Sequence, residues 1–444
     1  MAKSARETAL AVLERCRRDQ AFSDALLSNA IQASNLSAKD SALCAKLCYG
    51  VLQNMMLCDF YIDHFTAKAN KLEPKVRDIL RLSVYQILFL DKIPAHAAVS
   101  EGVDLCKKCG FSRAGGLVNA VLRHISENKD KLPEIPKNDI NEYFSIKYST
   151  PKGLVKKLTE NFDYDFAEQL LASNNEPAPT IIQVNTLKTT AAELLPMLES
   201  HGIALCQHPI LPDCYEAGGT GDIAALEEHK NGMFYVQDAA ARLSVMAASP
   251  KPGDTVLDAC SAPGGKSFAS AIMMKNSGKI LSCDIHENKL VRVSEGAKRL
   301  GIEIISTGVI DAVKPDTSLY SACDIVIADV PCSGLGVIRK KPDIRYKDLA
   351  EIDRLPDTQI KILNGLAPCV KAGGILLYST CTVLEQENSG VIDCFLSEHS
   401  DFSAESFTLP APIGEVTGGK LSLYPHIHQT DGFFICRLRK QNEN

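Results

Sequence analysis

The segment VLDACSAPGGKSFASA, residues 256–271, reads as a strand ending at Asp258–Ala259–Cys260, a Pro-Gly-Gly turn and a helix. Gly264 and Gly265 let the backbone approach a ligand and expose amides at the helix start. Pro263 stiffens the loop. The segment is neither G-x-G-x-x-G nor a P-loop, because its G-K-S lacks the earlier glycine at the required spacing. It has the pattern of the first strand–helix turn of a nucleotide-binding sheet, where ligands sit beyond the carboxyl ends of the strands.

Outward from this turn, strand and helix alternate. Apolar strands are expected at TVLDAC (255–260), KILSCDI (279–285), IEIIST (302–307), CDIVIADVP (323–331) and GILLYSTC (374–381), with helices near 265–276, 287–300, 350–371 and 385–398. Such alternation builds a parallel sheet covered on both faces. The last strand, GFFICRLRK (432–440), follows a turn and is expected to run antiparallel. Residues 241–444 are therefore assigned to an α/β, Rossmann-like domain. Residues 151–240 mix a strand (TIIQVNTLK) with two helices (GLVKKLTENF and TTAAELLPMLESHG), which predicts a small α+β domain. Residues 1–128 are expected to be all helix, because apolar residues recur at three- and four-residue spacing in ALAVLERC, CAKLCYGVL and VRDILRLSVYQILFL. Residues 129–150, with two prolines and no clear period, are expected to be a linker.

A chain of 444 residues exceeds one ordinary core, in keeping with several domains. The N-terminal stretch MAKSARETALAVLERCRRDQ lacks the apolar core of a signal peptide, and no apolar run approaches the ~18 residues of a membrane span. A cytoplasmic monomer is expected. Sixteen cysteines in such a chain are mostly reduced, buried thiols. Only Cys106 and Cys109 have C-x-x-C spacing and no matching second pair follows, so no metal is expected. The net charge of −6 excludes a uniformly basic nucleic-acid binder. Residues 1–130 carry four more basic than acidic side chains, and the remainder ten more acidic than basic. Phosphate contacts would have to be local patches.

Three acids end successive strands: Asp284 in SCDIH, Asp311 in TGVIDA and Asp329 in IADVPC. A carboxylate after the second strand can take two ribose hydroxyls, and one after the third can accept from an adenine amino group. Two cysteines, Cys332 and Cys381, lie just past strands on the same sheet edge. An isolated strand-end cysteine is usually a structural thiol. Two beside a nucleotide signature suit the methylation of cytosine at C5. That carbon is a poor nucleophile until a thiolate adds to C6, and a base must later remove the C5 proton so that the thiolate can leave.

The motifs DACSAPGGK, ADVPCSGLGVIRKKPDIRY, YSTCT and DGFF resemble those of the RNA cytosine-5 methyltransferases, the Nol1/Nop2/Sun family. The stretch around GVIRKKPDIR is similar to the bacterial ribosomal RNA small-subunit methyltransferase B branch, and residues 1–128 resemble its NusB-like RNA-binding domain. The resemblance implies a class I methyltransferase domain that uses S-adenosylmethionine. Cys260, Ser261, Ala262, Pro263, Gly264, Gly265 and Lys266 would wrap the methionine and ribose of that cofactor. Asp284 would hold the ribose, Asp311 would sit by the adenine, and Asp329 would lie near both donor and target base. The family's nucleophile falls on Cys381, and Cys332 is implied in resolving the adduct; DNA cytosine-5 methyltransferases reverse these roles. Ser261 stands where the family usually has Ala, and Leu335 where it usually has Thr.

The basic run Arg339, Lys340, Lys341, Arg345 and Lys347 interrupts an acidic domain and is read as a phosphate clamp for RNA. The target base must leave its stack, so a single-stranded loop of small-subunit ribosomal RNA is the expected substrate. The same chemistry on another rRNA or tRNA cytosine stays open. So does a non-enzymatic RNA-binding or antitermination factor, although the intact cysteines and acids weigh against it. A dehydrogenase is disfavoured by the missing G-x-G-x-x-G and the antiparallel last strand.

Overall fold

The computed structural model describes residues 3–19, 23–67 and 69–442; the remaining positions of the expected domains 1–128 and 241–444 lie outside the described residues. The chain forms two compact units, Met1–Glu176 with Ile338–Leu349, and Pro177–Val337 with Ala350–Asn444.

The first unit is all helical. Its long helices are Ala5–Asp19, Ala38–His64, Pro74–Phe89, Ala95–Lys108 and Gly115–Glu127. Their apolar stripes, including Leu47, Val51, Ile79, Leu80, Leu105 and Leu122, close one core. The stretch expected to be a linker contains the helix Ile140–Lys147, started by Asp139, whose carboxylate accepts from the amides of Asn141 and Glu142. Two more helices, Lys152–Asn161 and Tyr164–Ser173, belong to this unit.

Helix Ala38–His64 kinks at Asn54, and the kink shows where the segment 338–349 goes. On the turn after the kink, the amide of Leu57 donates to Ser149 Oγ at 3.1 Å. Arg345 Nη1 donates to the Gln53 carbonyl at 3.1 Å, and Tyr346 OH to the Leu52 carbonyl at 2.7 Å.

The second unit holds two sheets. In the smaller, β1 (Thr180–Val184), β2 (Ala204–Gln207), β3 (Cys214–Gly218) and β4 (Phe234–Val236) are antiparallel in the order β2-β3-β1-β4. Helix Ala191–Ser200, with a Thr190–Glu193 capping box, packs Leu194 and Leu198 against the same apolar cluster as Ile182, Val184 and Phe234. Sequence periodicity reveals only β1 here, because β2 and β4 are short and β2 is largely exposed.

The larger sheet contains β5 (Thr255–Asp258), β6 (Lys279–Asp284), β7 (Ile305–Val309), β8 (Cys323–Asp329), β9 (Val370–Thr380), β10 (Phe402–Ala404), β13 (Lys420–Leu423) and β14 (Phe433–Lys440); β11 (Phe407–Thr408) and β12 (Glu415–Val416) pair separately. The order is β10-β14-β9-β8-β5-β6-β7, with β5 to β9 parallel and β14 antiparallel to β9. The strand order reverses direction at β5 and β8, which opens a crevice beyond their carboxyl ends. The third strand lies a few residues later than its apolar run suggested, at Ile305–Val309.

Candidate active site

β5 delivers the glycine turn to this crevice. Ser261 donates its amide to the Cys283 carbonyl at 2.7 Å, and Gly264 closes the turn with a φ of +110°. A side chain at Gly264 would meet the Phe268 ring at 2.5 Å, and one at Gly265 would meet Gln237 Nε2 at 2.8 Å. Helix Gly265–Met273 starts with no side-chain cap, which leaves its first amides without a side-chain acceptor at the end of the glycine turn. Three buried oxygens near the turn have no hydrogen-bond partner: Gln237 Oε1, Asp258 Oδ1 and Ser261 Oγ. Asp258 Oδ2 accepts from Ser267 Oγ at 2.6 Å, and burial pushes this carboxyl up to about 7 despite that bond and the attraction of Lys266.

Asp284, at the end of β6, is nearly buried and accepts from the His286 amide at 2.9 Å. Asp311 is exposed and accepts from the Val313 amide at 2.9 Å. Beside them Ile285 and Val309 are 58% and 56% exposed, an apolar pair that the edge of a flat ring would cover. Asp284 and Val309 are register partners across β6 and β7. Unsatisfied oxygens, uncapped amides, two carboxylates and exposed apolar side chains fit the amino acid, ribose and adenine of S-adenosylmethionine.

Lys266 connects this turn to the next two strands. Its Nζ lies 2.6 Å from Asp329 Oδ2 and 5.1 Å from the centre of the Phe433 ring. Asp329 Oδ1 accepts from Ser379 Oγ at 2.7 Å. Asp329 and Ser379 are register partners on parallel β8 and β9, so the loops that follow emerge side by side. These loops carry Cys332 and Cys381, whose Sγ atoms are 3.2 Å apart. Gly336 donates its amide to the Cys381 carbonyl, and Gly432 donates to the Gly336 carbonyl, each at 2.9 Å. A side chain at Gly336 would collide with the Gly432 carbonyl, which explains why three loops can meet here.

The two thiols are electrostatically unequal. The hydrogen bond with Cys332 lowers Cys381 against the opposing effect of burial; the Lys266 cation adds to the lowering, while Asp329 and Asp431 oppose it. The same bond raises Cys332, and burial and the charges of Cys381, Glu387 and Asp329 raise it further. Burial, with Asp258, Asp329 and Asp284 nearby, keeps Cys260 a thiol. The residues that sequence reasoning missed are Gln237, Asp258 and a buried carboxylate, Glu387, behind the two cysteine loops. Only Asp258 carried a signal, its place at the end of β5.

The expected phosphate clamp needs correction. Arg345 is 1% exposed, and its guanidinium lies within the helical unit. Besides Gln53, Nη1 donates to the carbonyls of Tyr148 and Ser149 at 3.0 and 3.2 Å, and Nη2 to the Asn174 carbonyl at 3.3 Å and Asn175 Oδ1 at 2.9 Å. Arg339 is also buried, Lys340 and Lys347 are half-buried, and Lys341 alone of the five is exposed. Cys106 donates to the Phe111 carbonyl, and no group of three or more His, Cys, Asp or Glu among the described residues could hold a metal ion. No helix among them is long and apolar enough to cross a membrane.

The sheet order, glycine turn and strand-end acids define a class I methyltransferase. Residues 245–439 match the family described as 16S rRNA methyltransferase RsmB/F, and the chain is 38% identical over 445 residues to a probable ribosomal RNA small subunit methyltransferase B of Bacillus subtilis, covering 99% of each. The chain belongs to this family of ribosomal RNA small subunit methyltransferases. A Synechocystis relative of the same description is 34% identical over 450 residues, covering 98% of this chain and 99% of its own. Residues 3–127 match the NusB family, and residues 150–216 a ferredoxin-like domain of RsmF/B-like methyltransferases. The solved structure of PH0851 superposes with a TM-score of 0.80 at 27% identity, covering 99% of this chain and 100% of its own. S-adenosylmethionine is the cofactor of this fold and family.

Proposed function

We propose that this enzyme transfers a methyl group from S-adenosylmethionine to C5 of a cytosine in small-subunit ribosomal RNA, through a covalent bond between Cys381 and C6. The observation that carries this reading is the pair of thiols 3.2 Å apart beside the Lys266–Asp329 ion pair, at the mouth of the cofactor turn. The Cys381 thiolate adds to C6, and the electron pair so released makes C5 a nucleophile. When bound, the cofactor supplies the electrophilic methyl. Asp329 orients the N3–N4 edge of the base, a role supported by its being held by Ser379 and Lys266. A water molecule then takes the C5 proton, the C5=C6 double bond re-forms and the C6–S bond breaks with its electron pair on Cys381, a thiolate that the Cys332 S–H stabilises. A single-stranded loop is the form in which the base reaches this depth.

A denaturing gel of labelled RNA with each single variant tests the assignment. Cys381→Ala is expected to form no adduct and transfer no methyl. Cys332→Ala is expected to attack but stall, leaving enzyme joined to RNA. A trapped complex with Cys381→Ala and none with Cys332→Ala would reverse the roles. Bisulfite sequencing of rRNA from cells with and without the gene identifies the cytosine.

A further inference from the structure

Behind the two cysteine loops lies a charge that the proposed chemistry does not call on. Glu387 is 0% exposed, and no lysine or arginine among the described residues pairs with it. Its Oε2 accepts from the Ser333 amide at 2.8 Å and from Gln359 Nε2 at 3.0 Å. Its Oε1 accepts from Thr382 Oγ1 at 3.2 Å. Ser333 follows Cys332 and Thr382 follows Cys381, and their hydroxyls are 2.6 Å apart. Gln359 also donates to the carbonyl of Pro331, on the other side of Cys332. One carboxylate thus reaches the residue after each cysteine.

A buried carboxylate without a cation is costly. A glutamine would fill the same space and keep the same three partners. Its carbonyl oxygen would accept from Ser333 and Gln359, and its amide would donate to Thr382, whose own proton can turn to Ser333 Oγ. Packing therefore does not require the charge. The arrangement of two thiols does, because only one of them is to be a thiolate.

We propose that Glu387 is a positioning residue of the methyl transfer, clamping the Cys332 loop to the Cys381 loop and, through its unpaired charge, favouring the state in which Cys332 donates its S–H to a Cys381 thiolate. This rests on the assignment of Cys381 as nucleophile. The groups facing the thiol pair are Asp329 and Tyr378 from the strand ends, Glu387 from behind, and Lys266 and Asp431 on the Cys381 side. Of these, Glu387 and Asp329 act on Cys332, whose ionisation they oppose. With glutamine in place of Glu387, Cys332 ionises at lower pH, repels Cys381 and no longer supports its departure.

The test uses the full-length enzyme with labelled RNA under single-turnover conditions across a pH series, with adduct formation and adduct release read separately. Glu387→Gln is expected to melt no lower than wild type and to keep its cofactor affinity and RNA KM. Its adduct release is expected to slow about tenfold, with the alkaline limb of the rate–pH profile lower by about one pH unit. In a Cys332→Ala background, where release is already stalled, adding Glu387→Gln is expected to leave the rate and pH dependence of adduct formation unchanged, because the charge acts through Cys332. A Glu387→Gln enzyme with wild-type release and an unmoved pH profile would overturn the proposal. So would a slowed adduct formation on adding Glu387→Gln in the Cys332→Ala background, since Glu387 would then act elsewhere. If Glu387→Ala fails to fold, the glutamine variant still decides. A wild-type enzyme that forms no adduct at all would instead overturn the nucleophile assignment, and this role with it.

Discussion

Replacing Arg345 by Met distinguishes a buried strut from an RNA contact. Met keeps much of the apolar stem and removes the planar fork. In the structure that fork serves five acceptors between 2.9 and 3.3 Å, four of them main-chain carbonyls. One of these, Gln53, sits directly before the Asn54 kink. At about 1 kcal/mol net per lost bond, desolvation included, the loss of these contacts should cost the variant roughly 3–5 kcal/mol. Urea unfolding followed by far-UV circular dichroism should show an earlier first transition, assigned to the helical unit by limited proteolysis. Arg345→Lys should recover only part of the loss, because one ammonium cannot span both acceptor groups. The salt dependence of RNA binding provides the opposing measurement. Each phosphate contact on a single strand contributes about 0.7 to the slope of log K against log salt. Arg345→Met should leave that slope unchanged, measured where the protein is folded. Wild-type stability together with a slope reduced by about 0.7 would refute the strut and restore the phosphate clamp.

Two further substitutions probe the cofactor side. Asp284→Ala should weaken S-adenosylmethionine binding by about 1–3 kcal/mol in calorimetry, the cost of leaving ribose hydroxyls unpaired in a nearly buried position; unchanged affinity would remove Asp284 from the site. Asp258→Asn should alter the dependence of stability on pH. Because the folded state holds the Asp258 carboxyl at about 7, above its ordinary 3.8, its contribution is fully present at low pH, is lost as pH rises from about 4 to about 7, and is constant above that. The variant should avoid this loss and gain up to about 4 kcal/mol on wild type between pH 4 and pH 8. Parallel melting-temperature curves for the two proteins would refute it.

What the sequence disclosed and what it hid differ in kind. The glycine turn was legible because close backbone approach tolerates few residues, and Gly264 and Gly265 state that constraint within a few positions of each other. Cys332 and Cys381 were legible because each follows an apolar strand, and parallel register then brings the two strand ends together. The antiparallel β14 followed from its preceding turn. The fate of the basic run was not legible. Arg345 reads like its neighbours, yet its acceptors lie at positions 53, 148, 149, 174 and 175, all on another part of the chain. Glu387 was hidden in the same way, among the acids of LEQEN, with partners at 333, 359 and 382. A salt bridge leaves two opposite charges for a reader to match. Arg345 and Glu387 are held instead by main-chain and neutral side-chain groups, which nearly every residue can supply. A buried charge satisfied in this way therefore looks like a surface charge until the fold brings its partners to it, and these are the two positions where composition was the poorest guide.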